Sequence, residues 1–153
     1  MQAFVNLFGP LDALLAPEVF GGVRVIEYVL LALVVANFVT RKLAHDNHVL
    51  QYREGGAEAV SRYLPHEAMN VLLVLGSFYY TTVEQHGGIV LSTLVMGLFL
   101  TDFFEFESRK VEARREIDME RPKASLVAAI LVLMYAGFQS LFWLVQGYWS
   151  AVV

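Results

Sequence analysis

Four apolar blocks dominate the chain, at about residues 23–43, 65–83, 88–106 and 124–149. Each is long enough to cross a hydrocarbon core of about 30 Å, which takes roughly 20 helical residues. Apolar side chains fall on every face of a helical projection, the pattern of a helix buried nearly all round. In lipid, unpaired backbone groups are too costly for anything but helices or closed barrels. These runs are too long, and alternate too little, for barrel strands. They predict an all-α fold: an integral membrane four-helix bundle, antiparallel and up-down, forming a single membrane domain over residues 1–153. Composition agrees, with 57% hydrophobic residues and a mean hydropathy of +0.53, where a soluble domain is nearer half apolar.

Residues 1–20 are apolar but broken by Gly9, Pro10 and Pro17. Pro10 can open a short helix with Gly9 as its cap. Leu11, Leu14 and Leu15 then share one face, opposite Asp12. The segment reads as a short helix in the membrane interface. With no Lys or Arg before Arg24, the basic n-region of a cleavable signal peptide is missing.

Basic residues set the expected orientation. Arg41 and Lys42 end the first block, and Arg53 and Arg62 lie between it and the second. Arg109, Lys110, Arg114, Arg115, Arg121 and Lys123 lie between the last two, making ten of the eleven basic residues. The VEQHGG connection between blocks two and three has none. The positive-inside rule puts loops 44–64 and 107–123 in the cytoplasm and both termini outside a plasma membrane. Tyr79, Tyr80, Trp143, Tyr148 and Trp149 then fall at the outer interface, where aromatics are enriched.

Several functional classes drop out. The chain has no cysteine, which excludes disulfides, thiolate nucleophiles and zinc–thiolate sites. A net charge of −4 and pI near 5.5 argue against a nucleic-acid partner. No spacing matches a metal motif such as HExxH. His66 and His86 lie at opposite ends of the same hairpin, unsuited to one haem. No catalytic residue, cofactor or metal site is predicted.

The polar residues within or beside the blocks are the candidates for a site. Asp102 and Glu105 share a helix face near the cytoplasmic end of the third block. A charge in hydrocarbon normally faces protein or water and has a partner. Groups at the same expected depth are Asn37, Thr40 and Arg41 in the first block, His66, Glu67 and Asn70 in the second, and Lys123 before the fourth. Two readings compete. In one, Arg41 and Lys123 neutralise Asp102 and Glu105 while His66 and Asn70 bridge helices, a layer acting as interhelical glue. In the other, the layer binds an ion, proton or polar ligand through His66, Glu67, Asp102 and Glu105.

The other polar groups read as local. Glu27 pairs with Arg24 one turn earlier, both snorkelling outward. His45 and His48 are solvated loop residues. His86 to Gly88 supply flexible backbone for a tight reversal. Glu105 precedes Arg109 by four and Glu107 precedes Lys110 by three, favourable helix pairings that carry the third helix on to about Arg115. Pro122 then starts the last span.

Small residues recur every fourth position at Ala32, Ala36 and Thr40, and at Thr93, Gly97 and Thr101. Such stripes let helices approach closely, within the bundle or between subunits. Gln139, Trp143 and Gln146 share a face that suits protein better than lipid. The expected partners are the bilayer and either further copies of the chain or other membrane subunits.

The segments GPLDALLAP, REGGAEAVSRYLPHEAMNVLLVLGSFYY, HGGIVLSTLVMGLFLTDFFEFESRKVEARR and ERPKAS resemble a family of small four-span membrane proteins from halophilic archaea. That resemblance implies membrane architecture and an archaeal plasma membrane, and carries over no activity, ligand or site. The expected role is a non-enzymatic structural or accessory membrane subunit. The alternative is an ion or proton pathway lined by the His/Asn/Asp/Glu layer. A metal-dependent membrane enzyme ranks third, for want of a nucleophile–base pair.

Overall fold

A computed structural model describes residues 8–153. Those residues are all-helical, with five α-helices and no strand. Helix α1 covers Pro10–Leu15, entered through Gly9 at φ 50°. Its Asp12 is buried while Leu11 and Leu14 are exposed. The Asp12 carboxylate accepts the Phe8 amide (2.9 Å) and the Tyr79 hydroxyl (2.9 Å). The polar side of α1 thus faces the protein, Leu11 and Leu14 face out, and Leu15 packs partly against the core. A single 3₁₀ turn, Phe20–Gly22, then leads into α2. Gly21 is required there: a Cβ would fall 2.3 Å from the Trp143 ring.

Helix α2 spans Val25–Gly55, so the expected loop 44–64 is helical over its first half. Lys42 and Asp46 form an i,i+4 ion pair at 2.7 Å, and no breaker occurs before Gly55 and Gly56, the latter at φ 72°. Helix α3 spans Leu64–Val83, with Pro65 in its first turn. The reversal that follows uses one residue, Glu84. Helix α4 spans Gln85–Arg114, so Gly87 and Gly88 lie inside its first turn. They serve close packing, not the reversal: a Cβ on Gly88 would lie 2.2 Å from Thr81 Cα. After a turn with Glu116 at φ 56°, α5 spans Lys123–Val152.

Each of α2–α5 packs against two others, in the closed order α2–α3–α4–α5–α2. Neighbours run antiparallel, because Glu27 meets Tyr80 while Asn37 meets Asn70, and Glu105 meets Ser125. Leu30, Val34, Leu73, Leu91, Val95 and Val132 are central to the core. With 20 residues, α3 is about 30 Å long. The 31 and 30 residues of α2 and α4 give about 45 Å, and their extra length, with the connection after α2, builds a second small core of Val60, Phe106 and Ala113. Helices α4 and α5 are long and apolar enough to cross a membrane, each holding an 18-residue stretch of mean hydropathy 1.8 and 1.9.

Candidate functional site

A closed ring of polar side chains crosses the middle of α2, the start of α3 and the second half of α4. Arg41 donates to Asp102 Oδ1 as a buried ion pair and to Asn37 Oδ1 at 2.5 Å. Asn37 Nδ2 donates to Asn70 Oδ1 at 2.7 Å. Asn70 Nδ2 closes the ring on Asp102 Oδ2 at 3.1 Å. His66 Nε2 reaches the same oxygen at 3.2 Å, and its Nδ1 faces the Thr40 hydroxyl at 2.8 Å. Arg41 is 2% exposed and Asn37 fully buried. A buried charge is tolerated only when paired and hydrogen-bonded, and both oxygens of Asp102 have partners here. No group of three or more His, Asp or Glu residues able to hold a metal ion occurs among the described residues.

Helix α5 joins through a different contact. The Glu105 carboxylate accepts the Ser125 amide (3.0 Å) and hydroxyl (2.5 Å). It thereby caps the first turn of α5 from a neighbouring helix, where free amides and the helix dipole favour negative charge.

A second polar contact lies at the other end of the core. The Tyr80 hydroxyl donates to Glu27 Oε1 at 2.7 Å, while Glu27 Oε2 accepts the Arg24 amide at 2.7 Å. The two polar levels are separated by Leu30, Val34, Leu73, Leu91 and Val95, all nearly inaccessible.

The sequence matches, over residues 2–153, the family described as Domain of unknown function (DUF7313). The chain belongs to the DUF7313 family. No curated protein and no solved structure matches it.

In this DUF7313 chain, five of the eight predicted polar residues come together: Asn37, Arg41, His66, Asn70 and Asp102. Three do not. Glu67 pairs with Arg62 at 3.3 Å, outside the ring. Glu105 serves Ser125 in place of a cation. Lys123 is 77% exposed and lies near Glu120 at 3.9 Å. Ser125 is the residue that sequence reasoning missed, although a serine beside Pro122 at a helix start is a recognisable capping signal.

Two other expectations fail. Glu27 does not snorkel outward with Arg24: it is buried against Tyr80, and the Arg24 guanidinium turns to Ala16 O (2.8 Å) and Glu18 (3.9 Å). His48 is not solvated. Its ring is buried, lies 5.1 Å from that of Phe106 and accepts from Arg109 Nη1 at 3.1 Å. Burial, and then the Arg109 charge, pull the His48 pKa down to about 4. Gln139 of the third predicted face is half-buried and bonds Tyr135 at 2.8 Å, whereas Gln146 is exposed.

Proposed function

We propose that this DUF7313 chain is a multi-pass membrane protein in which α2–α5 all cross the bilayer, and that it is a non-enzymatic structural or accessory subunit. One observation carries the reading. At the level where the interior is most polar, the exterior is apolar. Around the Arg41–Asp102 ring, Val35 and Val39 of α2, Val71 and Leu72 of α3, and Leu100 and Phe104 of α4 are exposed. Val127 and Ile130 of α5 face outward nearby. Only 22% and 28% of the apolar stretches of α4 and α5 are buried. A core helix of a soluble protein hides such a stretch, and water penalises contiguous apolar surface of this extent. Lipid does not, and within lipid interhelical polar contacts hold helices together.

The ring then acts as a cross-brace fixing the register of α2, α3 and α4. The section between the two polar levels, apolar but for Ser77, whose hydroxyl is tied to Val74 O at 2.9 Å, weighs against an ion or proton pathway through the bundle. Self-association fits the outer face of α4, where Thr93 and Gly97 are exposed and a Cβ on Gly97 would meet nothing within 4 Å. The loops rich in Lys and Arg face the cytoplasm, in the archaeal plasma membrane that the sequence resemblance implies.

Because the chain lacks cysteine, single-cysteine variants test the topology cleanly. On intact cells a membrane-impermeant maleimide should label Ser150→Cys, and label Arg114→Cys only after permeabilisation. Recovery of the protein in the soluble fraction without detergent would sink the membrane reading. Labelling of Arg114→Cys from outside would overturn the orientation.

A further inference from the structure

Where the start of α5 lies beside the middle of α2, a groove of about 510 Å³ opens between Phe38, Arg41, Lys42 and His45 on one side and Arg121 and Leu126 on the other. Asp46 also lines it but is held by Lys42 at 2.7 Å. Two buried atoms of the lining residues, Arg41 Nε and His45 Nδ1, have no hydrogen-bond partner. A native protein seldom leaves a buried polar atom unmet, because its desolvation is then uncompensated. Arg121 is exposed and enters none of the ion pairs among the described residues. Arg41 is matched by Asp102 and Lys42 by Asp46, so Arg121 is the unmatched charge of the groove. Burial, then Arg109 and Arg121, disfavour protonation of His45, against partial relief from Asp46 and Glu105. Away from this cationic rim, Phe38 and Leu126 continue into the exposed apolar faces of Val35, Val39 and Val127.

We propose that this groove binds an anionic phospholipid, its phosphate held at the rim by Arg121 with Lys42 and His45 beside it, its acyl chains lying along Phe38 and Leu126. The inference rests on the membrane reading, which puts the cationic rim at the inner boundary of the bilayer. Basic side chains there attract anionic headgroups. A phosphate offers several acceptor oxygens and suits guanidinium donors geometrically, so it suits Arg121, whose guanidinium is exposed and outside every ion pair of the described residues. The apolar continuation distinguishes a lipid from free phosphate.

Native mass spectrometry of the detergent-purified chain, titrated with phosphatidylglycerol, phosphatidylcholine or inorganic phosphate, tests this. The wild type should retain phosphatidylglycerol in preference to phosphatidylcholine. Arg121→Gln, at an exposed position, should weaken phosphatidylglycerol about fivefold, the effect of one basic residue near a bilayer surface. Arg115→Gln, exposed and outside the groove, should leave it unchanged. Equal retention of the two lipids, or equal loss in both variants, would show diffuse surface charge and overturn the site. Displacement of the lipid by inorganic phosphate would reassign the groove to a free anion. A chain that proves soluble without detergent defeats the membrane reading, while phosphate binding lost in Arg121→Gln would still report an anion site separately.

Discussion

Arg41 is a buried cation whose isolation is costly. Its guanidinium is buried and its charge is matched by Asp102 alone within the ring. Removing one partner of a buried pair leaves an uncompensated charge, a loss of about 3–5 kcal/mol. Asp102→Asn should therefore lower the folded fraction and melting temperature in detergent sharply. The double change Arg41→Met with Asp102→Leu should recover only part of that loss, because it removes the lone buried charge but leaves Asn37 Oδ1 and Asn70 Nδ2 without partners. A single variant that melts with the wild type would deny the ring its bracing role. Charges at matched depth made this pair legible in the sequence. His48 was not legible, since its burial depends on two helices overrunning the core together. Its Nδ1 can accept from Arg109 only when unprotonated. The unfolded chain has the ordinary histidine value of 6.5 and the folded chain about 4. Below pH 6.5 the unfolded state binds a proton that the native state refuses, so stability falls as pH drops towards 4, by roughly 3 kcal/mol in all. Melting curves between pH 4 and 8 should lose that slope in His48→Gln. An unchanged slope would assign the acid sensitivity to other groups.

At the level of elements, glycines report how closely helices approach. A Cβ on Gly88 would sit 2.2 Å from Thr81 Cα and 2.4 Å from its amide nitrogen. Backbone cannot step aside as a flexible side chain does, so Gly88→Ala must push α4 away from α3. Overpacking of this kind costs about 1–3 kcal/mol. Gly97→Ala meets nothing within 4 Å and gains helix propensity worth about 1 kcal/mol, so the isolated chain should tolerate it or melt slightly later. If copies of the chain meet on that face of α4, a bulkier Gly97→Leu should reduce the oligomer seen by cross-linking while leaving the monomer's melting unchanged. Both glycines belong to sequence patterns, but the patterns do not separate their roles. HGG reads equally as a flexible turn or as a close contact. Only the one-residue reversal at Glu84 forces the second. The overrun of α2 was hidden in the same way, because the charges of residues 42–54 suit a solvated loop as well as an exposed helix face.

For the whole molecule, the order of the apolar blocks and the short VEQHGG connection made the all-helical, antiparallel arrangement legible. The inside-out polarity was not, because it depends on which face of each helix turns inward. Asn37 and Val39 are near neighbours in sequence, yet one is fully buried and the other is 57% exposed. That polarity also bears on transport. A conducting path needs polar groups or water along its length, and the buried Leu30, Val34, Leu73, Leu91 and Val95 interrupt any such line between Asp102 and Glu27. Water or a charge crossing this section would lose its hydrogen bonds with nothing to replace them. Proteoliposomes holding the wild-type chain should therefore pass protons or alkali cations no faster than empty vesicles, and His66→Ala should not change the rate. A flux well above background that Asp102→Asn or His66→Ala abolishes would transfer the ring from bracing to conduction. The apolar section would then have to open in the membrane, and substituting serine for Leu73 should accelerate that flux.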